Sequence, residues 1–540
     1  MSAPSCAPTI GSSSTEANAM PQLKFPPLLA ALLALSLSAL PALAAEEAPG
    51  KKEAPTKLQP TQSETEGSVA VGGKRIDYKA VAGTLVLKDA KGEGTASLFY
   101  AAYFKKGEDG NKRPITFLYN GGPGSATMWL HMGSFGPKRV VSNGDKPIPG
   151  APFELVENEY SLLDASDLVF IDAPGTGFST FADKEKGGKE YFGVDPDAHA
   201  FAQFIESFIT RYGRWNSPKY LFGESYGTPR SAMVANILVN EKSIGLNGVI
   251  LLSQILNMQA LRPSATPGID LAYQNLLPSF AAVAWYHQVL PKRPAELRPF
   301  LKEVEQFALG DYSQALAMGS ALPPERKHQI AERMHNYIGL PVDYIERADL
   351  RIDAGHFGQE LLIDRGLITG RLDARFSGPP MDPLAASWEY DPFSTGVGAA
   401  YAALFNDYVR KQLKFGQDQN YAISAEGANA QWVFEHRPPG GQGQGGGRPI
   451  PGFPNTLPDL AAALKKNPQL KVMVNSGYYD LATPYFSADF EMRHLPMPAS
   501  LAGNIETHYY ETGHMVYVLT PALKALHDNV AAFINKTSVR

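Results

Sequence analysis

β-branched and aromatic residues recur between turn signals from position 68 to 119, a pattern that is typical of strands. After position 119, short apolar runs alternate with segments whose apolar residues lie three or four positions apart. The runs predict buried strands, and the three-to-four spacing predicts helices packed against them. The strands predicted in this way cover residues 76–81, 84–87, 95–104, 115–119, 167–172, 219–222, 247–252, 469–475 and 507–510.

Between residues 257 and 395 the strand pattern fades and Pro-rich breaks separate helical segments. Alternating strands and helices predict an α/β fold with a mostly parallel central sheet and helices on both faces, and the helical stretch is predicted to be an insertion in it. Asp195 and Asp197 lie at the start of the helix expected at 197–212 and are expected to cap it. The helices predicted by spacing cover 197–212, 230–239, 269–290, 293–309, 324–337, 355–365, 399–415 and 521–534.

The amino end predicts a secretory signal peptide. Lys24 leads into an apolar stretch over 25–40, and small residues follow at Ala42 and Ala44. This pattern predicts a signal peptide over residues 1–44 that is cleaved after Ala44. The alternative is a transmembrane anchor, which the prolines of the stretch disfavour. Residues 1–19 are an upstream extension if Met20 is the initiator. We expect a flexible linker at 45–67, a first core part at 68–256, a helical cap insertion at 257–395 and a second core part at 396–540.

Composition narrows the class of protein. The chain has 540 residues, 44% of them hydrophobic and 19% charged, which excludes wholesale disorder. A net charge of −5 gives no indication of a nucleic-acid or anionic-membrane partner. Cys6 is the only cysteine and lies inside the predicted signal peptide, so the exported chain has neither a disulfide nor a thiol nucleophile. Since H-E-x-x-H and C-x-x-C spacings are absent, we expect no metal or cofactor. The predicted signal peptide leads us to expect a periplasmic or secreted protein without stable membrane association after cleavage.

The motif at residues 223–227, G-E-S-Y-G, indicates a nucleophile. It lies directly after the predicted strand 219–222 and before a predicted helix. In this strand–turn–helix setting the glycines permit a sharp turn that exposes the Ser225 hydroxyl, and the helix start offers N–H groups to a developing anion. The alternative is a Gly-rich turn with an ordinary N-cap serine. We therefore predict that Ser225 is the nucleophile.

A serine nucleophile needs a base and an orienting carboxylate, which follow in the order Ser, Asp, His in this fold class. Asp480 comes just after the predicted strand 469–475, and His514 comes just after the predicted strand 507–510. Both lie at carboxyl ends of strands, where open α/β sheets build their sites. The loop at 120–124, N-G-G-P-G, follows another strand, and its glycines either bring backbone amides close to an oxyanion or form a tight turn without a ligand.

Four sequence blocks together resemble the serine carboxypeptidases, peptidase family S10, a branch of the α/β-hydrolase fold. They are N-G-G-P-G at 120–124, D-A-P-G-T-G-F-S at 172–179, G-E-S-Y-G at 223–227 and the Asp480/His514 pair. The chain looks like a bacterial exported member, with the stretch 257–395 corresponding to the variable insertion that caps the family's active site. The resemblance implies a serine-type carboxypeptidase that hydrolyses C-terminal peptide bonds through an acyl-enzyme, with peptides as substrates.

The resemblance also implies a role for each residue of the site. In the family, an asparagine and a glutamate bind the terminal carboxylate of the substrate. A glutamate beside a substrate carboxylate requires that one of the two groups is protonated, which favours acidic pH. The implied roles are nucleophile for Ser225, general acid/base for His514, orienting carboxylate for Asp480, oxyanion-hole amides for Gly122 and Tyr226, and terminal-carboxylate binding for Asn120 and Glu224.

Departures from the family pattern concern carboxylate recognition. Ser134 stands where the family has a second glutamate, and T-P-R at 228–230 replaces G-H-Y after the motif. Leu118 and Tyr478 replace a tryptophan and an acid. Arg230 is either a replacement positive charge for the substrate or a solvated or salt-bridged helix residue. The alternative functions are therefore a serine esterase, acyltransferase or other peptidase that uses the same triad without free-carboxylate recognition, and a non-enzymatic binding scaffold.

Overall fold

The computed structural model describes residues 56–261, 267–439, 450 and 452–538. The predicted signal peptide, its upstream extension, Cys6 and the first part of the predicted linker lie outside the described residues. No helix in the described ranges combines the length and apolar character that crossing a membrane requires.

A mixed sheet runs through the described chain and confirms the predicted α/β class. The strands are β1 (Gln62–Val71), β2 (Lys74–Lys88), β3 (Gly94–Lys105), β4 (Ile115–Tyr119), β5 (Lys138–Val140), β6 (Leu155–Glu157), β7 (Asp167–Ile171), β8 (Thr180–Phe181), β9 (Lys219–Glu224), β10 (Gly248–Leu252), β11 (Ile368–Thr369), β12 (Ser377–Gly378), β13 (Lys471–Gly477) and β14 (Ile505–Tyr510). Their order in the main sheet is β1-β2-β3-β7-β4-β9-β10-β13-β14, with β8 paired to β3. In this order, the neighbouring strands from β1 to β7 pair antiparallel. The neighbouring strands from β7 to β14 pair parallel.

Helices cover both faces of this sheet. They are α1 (Met128–Leu130), α2 (Lys184–Tyr191), α3 (Val194–Arg211), α4 (Gly227–Asn240), α5 (Leu271–Tyr286), α6 (Leu297–Phe307), α7 (Ser313–Met318), α8 (Pro324–Ile338), α9 (Val342–Arg347), α10 (Ala354–Glu360), α11 (Pro392–Lys411), α12 (Ala428–Gln431), α13 (Leu457–Lys466), α14 (Tyr485–Arg493) and α15 (Thr520–Ser538). Short 3₁₀ or π turns connect several of them.

The side chains of each central strand alternate between two hydrophobic cores. In β9, Tyr220 and Phe222 join the core that α11 and α15 cover, whereas Leu221 joins the core that α3, α4 and α13 cover. Successive strand residues point to opposite faces, so a strand buried on both sides is apolar throughout. This explains why the parallel strands appear in the sequence as unbroken apolar runs.

The stretch predicted as a helical insertion contains α5 to α10 and the small ribbon β11–β12. Its helices form a third hydrophobic cluster, in which Phe280 stacks on Phe357 with ring centroids 4.1 Å apart. Tyr479 and Tyr485, which follow β13 in the main sheet, belong to the same cluster. The helical stretch therefore packs directly on the segment that carries Asp480.

Two expectations about element boundaries are wrong. Strand β1 begins at Gln62, so residues 62–67 belong to the sheet rather than to a linker; β1 pairs only with β2, and its polar side chains alternate toward solvent. Helix α3 begins at Val194, so Asp195 and Asp197 lie inside its first turn and neither side chain caps it. In both cases a polar stretch proved to be regular structure, because tertiary pairing overrides the local preference of polar residues for loops and caps.

Candidate active site

The turn between β9 and α4 has the geometry of a nucleophile elbow. Ser225 adopts a left-handed backbone with φ of 60°, and its N–H donates to the Leu252 carbonyl at 3.0 Å. A Cβ at Gly223 would stand 2.1 Å from the Gly227 carbonyl oxygen, so the turn is too tight for a side chain there. A non-glycine residue with positive φ is uncommon and marks strain at functional sites. The Thr228 hydroxyl donates to the Ser225 carbonyl at 2.7 Å and holds the turn closed.

The residues predicted as acid and base are joined by a hydrogen bond. Asp480 follows β13, His514 follows β14, and the His514 Nδ1 lies 2.6 Å from the Asp480 Oδ2. Both side chains are buried. The Asp480 Oδ1 accepts from the backbone N–H groups of Ala482 and Thr483 at 2.8 and 2.9 Å, and the Thr483 hydroxyl donates to Oδ2 at 2.6 Å. These bonds fix the plane of the carboxylate toward the imidazole.

The pKa of His514 is set by opposing influences. Burial lowers this pKa, because the charged imidazolium loses its hydration. The charge and hydrogen bond of Asp480, together with the nearby Glu224, favour the charged form and raise the pKa above its ordinary value, while Arg371 opposes them. The imidazole is therefore a stronger base than a free histidine.

One cavity of about 670 Å³ collects the predicted site residues. Ser225 and His514 both line it, and so do four more residues predicted from the sequence, namely Asn120, Gly122, Glu224 and Tyr226. Asp480 is fully buried and contacts this cavity through His514. Apolar side chains form much of the remaining wall: Trp129, Leu372, Phe393, Val397, Trp432 and Phe434.

The glycine loop at 120–124 lies directly against the elbow. A Cβ at Gly121 would stand 2.3 Å from the backbone nitrogen of Tyr226, so the loop approaches the elbow as closely as only glycine permits. Gly122 has φ of 107°, which only glycine adopts readily. This contact brings Gly122 and Tyr226 to the same part of the cavity, where the sequence predicts the oxyanion hole.

Glu224 is a buried carboxyl in the cavity wall. Burial raises its pKa to about 7, although the positive field of His514 and hydrogen bonds from Tyr517 and Asn120 act in the opposite direction. The Tyr517 hydroxyl donates to the Glu224 Oε2 at 2.8 Å. Glu224 is therefore neutral in mildly acidic solution, where its carboxyl becomes a hydrogen-bond donor.

The structure decides the role of two departures from the family pattern. Ser134 is fully buried and its hydroxyl donates to the Leu130 carbonyl at 2.6 Å, while the hydroxyl bonded to Glu224 comes from Tyr517. Arg230 is fully buried and binds both oxygens of Asp197, at 2.6 and 3.1 Å, as well as the Asn120 carbonyl at 2.7 Å. The ion-pair interpretation of Arg230 is thus confirmed, and its alternative role as a charge for the substrate is wrong.

Three residues of the site were not predicted. The Thr483 hydroxyl donates to Asp480 and lies 3.2 Å from the His514 Nδ1. Its position three residues after Asp480 is typical of an Asx-type turn and could have been recognised in the sequence. Tyr517, which bonds Glu224 across 293 positions, has no such signal. Arg371 lines the cavity, and its guanidinium makes no hydrogen bond or ion pair to any residue that the structure describes. Within the same described ranges no cluster of His, Cys, Asp or Glu is arranged to hold a metal ion.

Part of the chain is similar in sequence to known proteins. The family model described as serine carboxypeptidase matches residues 73–292. Serine carboxypeptidase-like 33 of Arabidopsis thaliana is 29% identical over 28% of this chain and 30% of its own length. The pheromone-processing carboxypeptidase KEX1 of Saccharomyces cerevisiae is 31% identical over 28% of this chain and 21% of its own, and serine carboxypeptidase-like 35 of Arabidopsis thaliana is 27% identical over 42% and 46%.

The chain thus spans less than a third of the length of the first curated relatives that it matches. The matched segment nevertheless contains the glycine loop, the elbow and the strands β3, β4, β7, β9 and β10 that carry them. Over residues 73–292, the chain is therefore similar to the serine carboxypeptidase family.

Proposed function

We propose that this protein is an exported, periplasmic or secreted serine carboxypeptidase, released from its signal peptide after Ala44, that hydrolyses C-terminal peptide bonds. The observation that supports this proposal most directly is the cavity shared by Ser225 and His514, with the imidazole bonded to the buried Asp480. An alcohol, a base and an orienting acid in this order are the parts that acyl transfer requires.

In the proposed reaction the Ser225 hydroxyl attacks the carbonyl carbon of the scissile bond while His514 takes its proton. The backbone N–H groups of Gly122 and Tyr226 stabilise the oxyanion, and each such donor contributes about 3 kcal/mol to the barrier reduction. His514 then protonates the departing amine, which leaves an ester on Ser225. A water molecule, deprotonated by His514, cleaves the ester and restores the hydroxyl.

Recognition of the terminal carboxylate is proposed for Asn120 and Glu224, in the cavity wall beside the elbow. Glu224 donates a hydrogen bond to a substrate carboxylate only while it is protonated, and its raised pKa of about 7 extends that range far above the ordinary range of a glutamate. Arg371, whose guanidinium pairs with no described residue, adds a positive charge to the same cavity. Both features favour an anionic group on the substrate.

The nucleophile is tested with a fluorophosphonate that reacts with activated serines. The parent protein should be labelled on Ser225, and Ser225→Ala should lose labelling together with hydrolysis of a blocked dipeptide, by several powers of ten. Hydrolysis by Ser225→Ala at the parent rate would contradict the assignment. A parent protein that neither reacts nor hydrolyses from pH 4 to 8 would favour the binding-scaffold alternative.

The second candidate is an esterase, acyltransferase or other peptidase with the same triad. It is favoured by the buried Ser134, which bonds its own backbone segment at the position of the family's second acid. The test compares a blocked dipeptide with a free carboxyl end against its C-terminal amide and its ester. A strong preference in kcat/KM for the free acid supports the carboxypeptidase, whereas equal rates favour the second candidate.

A further inference from the structure

A tight turn at residues 370–376 joins β11 to β12 in the helical stretch and bonds both loops of the triad. The Leu481 N–H, next to the acid, donates to the Arg371 carbonyl at 3.1 Å, and the Ala374 N–H donates to the Tyr479 carbonyl at 3.0 Å. On the other side, the His514 N–H donates to the Leu372 carbonyl at 2.7 Å. The turn therefore lies against the acid loop and the histidine loop at once.

The side chains of the same turn reinforce the histidine loop. Asp373 and Arg375 form an ion pair with contacts of 2.9 and 2.5 Å, and their side chains are 1% and 4% exposed. The second oxygen of Asp373 accepts from the Gly513 N–H at 3.2 Å, and the Arg375 Nη2 donates to the Thr512 hydroxyl at 2.8 Å. The two residues that precede His514 are thus each held by one partner of a buried ion pair.

Close packing leaves the histidine loop little room at this contact. A Cβ at Gly513 would stand 2.5 Å from the Cα and Cβ of Asp373, so the two backbones already touch. A buried ion pair contributes little net stability, but loss of one partner leaves an uncompensated charge. The loop that carries His514 is therefore in direct contact with both members of this ion pair.

We propose that Asp373 and Arg375 are positioning residues for the triad, through which the helical stretch completes the catalytic geometry. The inference rests on the function proposed above, because positioning matters only if Ser225 and His514 perform acyl transfer. Neither side chain lines the cavity, so both act through the loop that carries His514.

The substrate-facing part of the turn has a separate support. The Asp391 carboxylate accepts from the backbone N–H groups of Arg371 and Leu372 at 3.0 and 3.4 Å, and it also accepts from the Phe393 N–H at 3.0 Å. Arg371, Leu372 and Phe393 line the cavity. Loss of the Arg375 contacts should therefore disturb His514 more than the substrate-binding wall, and lower kcat with little change in KM.

The test uses Arg375→Lys, which keeps the positive charge but cannot bind Asp373 and Thr512 in the same planar arrangement. A displacement of about 1 Å in a catalytic group costs up to about 100-fold in rate. We expect kcat on a blocked dipeptide, and the rate of fluorophosphonate labelling of Ser225, to fall by about 10- to 100-fold. Thr512→Val removes only the hydroxyl that accepts from Arg375, so we expect a smaller loss in both rates, with KM again near the parent value.

A buried ion pair elsewhere in the chain provides the matched control. Arg214 binds Asp167 at 2.6 Å with both side chains 4% exposed, and its other partners are Ser217, Arg113 and Pro114, outside the cavity and the triad loops. Arg214→Lys should lower the Tm by an amount similar to Arg375→Lys and leave kcat at the parent value. This control separates positioning from general destabilisation.

The outcomes distinguish the two levels of the proposal. Suppose that the parent protein is labelled on Ser225 and that Arg375→Lys and Thr512→Val keep the parent kcat and labelling rate. This result would overturn the positioning role and leave the proposed function intact. If Arg375→Lys does not fold, Thr512→Val decides alone. A parent protein that is not labelled would overturn both. Equal losses of kcat in Arg375→Lys and Arg214→Lys would also overturn the positioning role.

Discussion

Asp480→Asn gives the sharpest expectation about the proposed triad, because the surrounding bonds dictate how the amide must lie. The Asp480 Oδ1 accepts two backbone N–H groups, from Ala482 and Thr483. In the variant the amide oxygen must stay at that position, since an NH₂ group there would face two donors. The NH₂ group is then directed at the His514 Nδ1 and donates to it.

This orientation forces the wrong tautomer on the imidazole. When Nδ1 accepts a hydrogen bond it carries no proton, so the proton of neutral His514 moves to Nε2, the atom that must take the proton of Ser225. The base function is lost while the shape of the site is retained. The expected loss in kcat is about 10⁴-fold, which corresponds to about 5 kcal/mol of transition-state stabilisation.

The assay measures kcat on a blocked dipeptide and the single-turnover rate of acylation by an activated ester. Thr483→Val is the matched control, because it removes one hydrogen bond to Oδ2 but leaves the tautomer unchanged, and we expect a loss of about tenfold or less. An Asp480→Asn variant whose kcat lies within tenfold of the parent, with an unchanged Tm, would refute the orienting role of Asp480.

Two further predictions concern titration. Glu224→Gln should make KM for a free-acid peptide independent of pH between 5 and 8, whereas the parent KM should rise as Glu224 ionises near its pKa of about 7. Because the Glu224 charge raises the pKa of His514, the pH at which kcat rises should also be lower in the variant. A kcat profile that does not move would contradict this coupling. His436 lies between two aspartates at 2.6 and 2.8 Å, which outweigh burial and raise its pKa to about 9. The stabilising effect of the charged His436 is fully present below pH 6.5 and is lost as pH rises through 9. The difference in free energy of unfolding between the parent and His436→Gln, measured with urea, should therefore shrink by roughly 3 kcal/mol between pH 6 and 9.5. A constant difference would show that the histidine is not charged in the folded state.

The sequence by itself determined the fold class, and it supplied the candidate residues of the proposed site. Each depends on a local pattern: an apolar run predicts a strand buried on both faces, and polar residues directly after such a run predict a site at its carboxyl end. Ser225, Asp480 and His514 follow β9, β13 and β14 respectively, and the glycine loop follows β4. Because parallel strands end at one edge of the sheet, their order along the chain was enough to predict that these residues meet.

The tertiary structure alone decided the partners of polar residues that bond across distant parts of the chain. Arg230 binds Asp197, Tyr517 binds Glu224, and Asp373 and Arg375 hold the histidine loop, over separations of 33, 293 and up to 140 positions. Hydrogen bonds and ion pairs between distant segments leave no periodic trace in the chain, since their geometry exists only after the sheet and the helical stretch have packed. For the same reason residues 62–67 of β1 were predicted as linker, because their polar side chains become strand residues only when β2 pairs with them.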